Sequence, residues 1–225
     1  MADRCLLYYI TDRSQFHGDE DTRRRALLAK VAEAACVGVD YIQLREKDLS
    51  ARKLEMLARE AVAVVCENRM PTGDWPVPTR LLMNSRTDVA LAAGADGVHL
   101  RADDPSFQEV RAVLQHSAHR TLTADHFLVA ASCHTAADIL RAESEKADFV
   151  VFAPVFGKRG SAGTTPAGLA ALREASRAKI PVLALGGVTI ENAASCMQAG
   201  AVGVAGIRLF QENKIEEVVR ALRAL

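Results

Sequence analysis

Short, continuously apolar runs alternate with segments of helical spacing along the whole chain, and this rhythm narrows the fold more than any other feature. The runs are Leu6–Thr11, Tyr41–Leu44, Arg80–Asn84, Gly97–Leu100, Val129–Cys133, Phe149–Ala153, Val182–Leu185 and Gly203–Ile207. They do not alternate apolar with polar residues, which is the pattern of parallel strands covered on both faces. Between them, helical spacing covers Arg23–Val37, Leu54–Cys66, Thr87–Ala93, Phe107–Leu114, Ala136–Ala142, Leu169–Ala178, Asn192–Ala199 and Ile215–Ala224, with Ser50 a candidate cap for the second. Eight strand–helix pairs in 225 residues give roughly 28 residues per unit, which predicts an α/β protein folded as a single (β/α)8 TIM barrel. One domain, 1–225, accommodates the chain.

An internal echo supports the repeat. The junctions Ala35–Ile42, Ala93–Leu100, Lys146–Val151 and Ala199–Val204 each close a helix with a short residue or Gly and drop into a buried strand. Two stretches break the rhythm. Asn68–Thr79, with Trp75, reads as a loop on the N-terminal face, where a barrel places no chemistry, and it permits a homodimer contact. Pro154–Gly168, rich in Gly, Ser and Thr, follows the sixth strand and reads as a lid able to wrap an anion.

Composition excludes several function classes. Lys plus Arg (28) balances Asp plus Glu (28), so nothing recommends nucleic acid as a partner. No apolar run reaches membrane-spanning length and the N-terminus lacks a signal-peptide core, so a cytoplasmic enzyme with no membrane partner is expected. The five cysteines are scattered without zinc-type spacing and read as reduced, mostly core residues. Cys133, next to His134, is the one with any case for a nucleophile.

In a barrel, chemistry is expected where strands end at their C-termini. Those ends carry Thr11, Asp12 and Arg13; Gln43, Arg45 and Lys47; Asn84, Ser85 and Arg86; His99, Arg101, Asp103 and Asp104; Ser132 and His134; Lys158 and Arg159; then Gly186-Gly187, Gly206 and Arg208. Cations and amide donors dominate. Arg45 and Lys47 suit a pyrophosphate, one as a bidentate fork and the other as a point charge, with a rim paired to Glu46 and Asp48 as the plainer reading. The glycines after the seventh and eighth strands match the usual barrel phosphate site. Asp103 and Asp104 could hold Mg²⁺ beside phosphate oxygens, or merely cap the next helix.

Taken in order, Tyr9-Ile10-Thr11-Asp12-Arg13, Gln43-Leu44-Arg45-Glu46-Lys47, Asn84-x-Arg86-x-Asp88, Gly94-Ala95-Asp96-Gly97-Val98-His99-Leu100, Ser132-x-His134 and Gly186-Gly187-Val188 resemble the thiamine phosphate synthase/TenI family. The resemblance spans nearly the whole chain. It implies thiamine biosynthesis by a transferase that joins hydroxymethylpyrimidine pyrophosphate to thiazole phosphate, with Mg²⁺ as cofactor. It further implies that Gln43, Arg45, Lys47 and Asn84 meet the pyrimidine pyrophosphate, Lys158 lies in the lid, and Ser132 sits by the leaving group. Asp104, with Asp103, would bind metal, and Gly187, Gly206, Ile207 and Arg208 the thiazole phosphate. Departures from the family pattern include Ser85 where a metal-binding Asp is usual and Arg101-Ala102-Asp103-Asp104 in place of Gly-Gln-Glu-Asp. Two alternatives follow: a metal-independent TenI-like thiazole tautomerase with His134 transferring the proton, or a non-catalytic regulator that binds thiamine-related phosphates.

Overall fold

A computed structural model describes residues 4–68, 78–116, 127–157 and 165–225. Its strands are β1 (Leu6–Ile10), β2 (Tyr41–Leu44), β3 (Arg80–Asn84), β4 (Gly97–Leu100), β5 (Leu128–Cys133), β6 (Phe149–Phe152), β7 (Val182–Ala184) and β8 (Gly203–Gly206). They form a closed parallel barrel in sequence order, with β1 completing the ring by pairing Leu7 with Val204 of β8. The expected (β/α)8 barrel is therefore the fold found.

Helices α1 (Glu20–Cys36), α2 (Ala51–Asn68), α3 (Thr87–Ala93), α4 (Phe107–His116), α5 (Ala136–Ser144), α6 (Gly168–Ala175), α7 (Ile190–Gln198), α8 (Arg208–Gln211) and α9 (Ile215–Arg223) surround it. α1 starts earlier than its apolar spacing predicts. Asp19 accepts the Thr22 N–H at 2.8 Å, so a polar first turn of Glu20 and Asp21 precedes the core-facing part. Two short pieces were not expected from spacing: α8, and a 3₁₀ turn at Arg13–Gln15. Each is too brief to leave a period in the sequence.

Alternate residues of each strand face two different apolar layers. Tyr8, Ile10, Leu82, Ala130, Phe149, Val151, Leu183 and Ala205 fill the barrel, whereas Leu7, Tyr9, Ile42, Leu44, Val98 and Leu100 pack outward in the helix-facing layer. Both sides are apolar, so no alternation shows in the sequence.

The recurrent junction aspartates have a concrete task. Asp40 accepts the Leu7 N–H at 2.7 Å, Asp96 the Leu81 N–H at 2.8 Å and Asp148 the Val129 N–H at 2.7 Å. Each carboxylate satisfies a strand donor at the N-terminal rim, where buried amides need partners. At the fourth echo, Val202 uses its backbone carbonyl to take the Leu6 N–H at 2.9 Å. The echo is thus a brace of the lower rim, opposite the face where the strands end.

Candidate active site

All eight strands run parallel, so the residues after Leu44, Asn84, Leu100, Cys133, Ala184 and Gly206 gather at one mouth. Arg45, Lys47 and the diglycine therefore share an end of the barrel. The two-residue strand period that turns Tyr8 and Ala130 inward carries on to Gln43, Asn84, His99 and Ser132.

A row of hydrogen bonds crosses the upper interior. Gln43 Nε2 donates to Tyr8 Oη at 3.0 Å, Tyr8 Oη lies 3.2 Å from His99 Nδ1, and His99 Nε2 lies 2.9 Å from Ser132 Oγ. Gln43, Tyr8 and His99 are all buried. Burial, and then the positive charge of Arg45, depress the His99 pKa to about 3, so its imidazole is neutral at ordinary pH. Burial raises the Tyr8 phenol well above its usual range, which keeps its proton in place.

A second network sets the β2 end. Thr11 Oγ1 accepts the Arg45 backbone N–H at 3.0 Å and donates to Glu46 Oε1 at 2.6 Å. Glu46 also accepts the Arg13 N–H at 3.0 Å and Arg13 Nη1 at 3.1 Å. Arg13 forks onto Asp48 at 2.7 and 2.8 Å and sends Nε to Glu20 at 2.7 Å. The paired rim expected of Glu46 and Asp48 therefore exists, but its cation is Arg13. Arg45 is half-buried, and its guanidinium makes no ion pair or hydrogen bond among the described residues, while Lys47 is exposed in the same segment. Burial lifts the Glu46 carboxyl above its ordinary value, against the hydrogen bonds from Thr11 and Arg13.

After β7, at the same end of the barrel, the backbone forms a glycine turn. Gly186 and Gly187 have φ of 99° and 64°, and a Cβ on Gly187 would come within 2.7 Å of the Gly157 carbonyl. Only glycine fits there comfortably. The Gly187 and Val188 N–H groups donate to no described residue, while Asn192 Nδ2 donates to the Gly187 carbonyl at 3.0 Å and its Oδ1 accepts the Thr189 N–H at the start of α7. After β8, Gly206 and Ile207 lead straight into α8, the short extra helix that barrels use at phosphate sites. Gln211 ties α8 to the β1 loop through both Asp12 backbone groups, at 2.8 and 3.0 Å. Arg208, mostly exposed, lies 3.6 Å from Glu212.

The acidic pair divides. Arg101 grips both carboxylate oxygens of Asp103, whereas Asp104 Oδ2 accepts the Arg101 N–H at 2.6 Å and Oδ1 takes no hydrogen bond among the described residues. Neither caps α4. Ser106 and Glu109 do that, with Glu109 accepting the Ser106 N–H at 2.8 Å. Among the described residues no three His, Cys, Asp or Glu side chains form a metal cluster. A magnesium ion that keeps waters and shares phosphate oxygens needs only one or two carboxylates, and Asp104 meets that reduced requirement. Ser85, after β3, stands at φ 64° and accepts Asn84 Nδ2 at 3.1 Å. A cleft of about 270 Å³ between α4 and α5 has Asp104, Ser132, Phe107, Asp138, Arg141 and Glu145 in its lining.

His134 is exposed, with Nδ1 2.6 Å from the Ala153 carbonyl. A carbonyl only accepts, so Nδ1 carries a proton and Nε2 is the available nitrogen. Cys133 is buried and its thiol is pushed up to about 12, which removes the nucleophile reading. Lys158, Arg159 and Trp75 lie outside the described residues. Tyr8 as a partner of His99 is absent from the residues singled out in the sequence, and the plainer reading of a rim paired to Glu46 and Asp48 did not include Arg13. The two-residue strand period back from Ile10 was the available signal for Tyr8.

Fold and mouth together define a (β/α)8 barrel enzyme in which the residues after β2 and the glycine turns after β7 and β8 lie at one end. The profile of the family described as Thiamine monophosphate synthase matches residues 7–210, and the chain belongs to that family. It is 39% identical over 222 residues to the putative thiamine-phosphate synthase of Geobacter sulfurreducens, covering 97% of this chain and 93% of that one. The thiamine-phosphate synthase of Methanoculleus marisnigri is 38% identical over 221 residues, covering 96% and 93%. Among solved structures, thiamine phosphate pyrophosphorylase from Pyrococcus furiosus superposes with a TM-score of 0.74 at 26% identity, covering 99% of this chain and 95% of that one.

Proposed function

We propose that this chain is a thiamine phosphate synthase, joining hydroxymethylpyrimidine pyrophosphate to thiazole phosphate with release of pyrophosphate. The observation that supports the reading is that half-buried Arg45, whose carboxylate neighbours are held by Arg13, lies at the same end of the barrel as the Gly187 and Gly206 turns. Departure of pyrophosphate leaves a cation-like pyrimidine centre, so catalysis consists largely of stabilising the leaving anion. Arg45 and Lys47 bind that anion, Ser132 hydrogen-bonds to it, and Gln43 and Asn84 orient the pyrimidine. The thiazole phosphate rests on the Gly187 amide and the Gly206–Ile207 turn, with Arg208 at its edge. Asp104 and the diphosphate oxygens would hold Mg²⁺, which when bound supplies further neutralisation of the leaving group.

The partners are these two phosphorylated small molecules. Among the described residues no helix is long and apolar enough to cross a membrane. A homodimer would appear as a doubled mass in sedimentation. The test of function mixes both substrates with Mg²⁺ and measures thiamine phosphate and pyrophosphate in equal amounts. No product at any Mg²⁺ concentration would end the proposal, and metal-independent isomerisation of a thiazole carboxylate phosphate would replace it with the tautomerase.

A further inference from the structure

We propose that Tyr8 and His99 are positioning residues that hold the Ser132 hydroxyl as a hydrogen-bond donor aimed out of the barrel, toward the leaving diphosphate. This deepens the coupling reading and rests on it. The protons along the buried row fix its direction. Gln43 Nε2 has only protons to offer, so Tyr8 Oη accepts at 3.0 Å. Tyr8 Oη has no third hydrogen-bond partner among the described residues, so its buried proton is satisfied only by His99 Nδ1, 3.2 Å away, and that nitrogen is then bare. A neutral imidazole with a bare Nδ1 carries its proton on Nε2, which donates to Ser132 Oγ at 2.9 Å. The Ser132 proton has no place toward His99 and turns to the mouth.

The aim of the row is fixed by packing. The Tyr8 ring meets Tyr41 and Phe149 edge-on at centroid distances of 5.9 and 5.5 Å, and those two rings stack on each other at 4.6 Å. Burial and the Arg45 charge keep the imidazole neutral. No proton is transferred and no covalent bond changes within the row. Its contribution is orientation: a hydroxyl donor already turned toward the position where negative charge develops needs no reorganisation during the reaction. The opposite sense, with Ser132 donating to His99, is the arrangement of a nucleophilic serine and its base, and it would present an oxygen lone pair to the diphosphate.

The first experiment needs no ligand. Long-range proton–nitrogen correlation on the full chain labelled with ¹⁵N-histidine reads the His99 tautomer at neutral pH. Protonation at Nε2 is expected, and protonation at Nδ1 overturns the proposal. The second is a double-mutant cycle on single-turnover coupling. Tyr8→Phe keeps the ring packing, and it should lose the single tautomer and slow the step about tenfold or more, with pyrimidine pyrophosphate affinity changed less than about twofold. Ser132→Ala should slow it at least as much while leaving the tautomer intact. The double variant should be no slower than Ser132→Ala, because Tyr8 acts through Ser132. Additive losses, or an unaltered rate in Tyr8→Phe, overturn it. Absence of coupling in the unaltered chain would defeat the functional reading and the leaving-group role with it. A wrong tautomer in an active enzyme defeats this proposal alone.

Discussion

Acid should weaken this barrel through His99, by an amount that follows from its surroundings. The groups facing the ring are the Tyr8 hydroxyl, the Ser132 hydroxyl and the Arg45 charge, and the folded pKa is about 3 against an ordinary 6.5. As pH falls below about 6.5 the unfolded chain takes up a proton that the native state refuses, so stability is lost between about pH 6.5 and pH 3. Each pH unit in that window is worth about 1.4 kcal/mol, or about 5 kcal/mol in all. Between pH 7 and pH 5 the His99 share is about 2 kcal/mol. Urea titrations of the wild type and of His99→Gln at both pH values isolate it, because the remaining titratable groups are common to both proteins. The wild type should lose about 2 kcal/mol more than the variant across that interval. Equal losses would refute the reasoning, since they would mean that His99 titrates alike in the folded and unfolded chains.

Three further outcomes are expected. Arg45→Ala should weaken pyrimidine pyrophosphate binding by roughly 2–5 kcal/mol in calorimetry, while an unchanged affinity would make Arg45 a rim charge. Ser85→Asp should strengthen Mg²⁺ dependence of that binding, because the left-handed backbone at φ 64° suits Asp and a second carboxylate then joins Asp104; an identical Mg²⁺ titration would place the ion elsewhere. Gly187→Ala should cost roughly 1–3 kcal/mol in denaturant titration through its positive φ and the approach to the Gly157 carbonyl, and should also weaken thiazole phosphate binding. Full stability in that variant would show that the turn relaxes without strain.

Much of the mouth was readable in advance because a parallel barrel turns position along a strand into position in space. Arg45, Ser132 and Gly187 needed no coordinates to be assigned to one end. Which charges pair was not readable. Glu46 and Asp48 adjoin Arg45 and Lys47 in the chain, yet they bind Arg13, and Glu46 is 33 residues away from it. These residues follow β2 in a turn, where the fold brings the β1 loop with Arg13 against them, so adjacency in sequence does not decide the pairing. Likewise Asp103 and Asp104 look equivalent as a pair, and only the turn at Arg101 distinguishes them.

The sequence by itself determined the barrel. Apolar runs, helical periods and junction aspartates are local consequences of backbone geometry and burial, and they recur in every unit. Tertiary structure decided the chemistry of the mouth, because the Tyr8–His99–Ser132 row joins β1, β4 and β5 and the Arg13 network joins β1 to β2. Hydrogen bonds between strands depend on closure and register, and those distances exist only once the ring has formed.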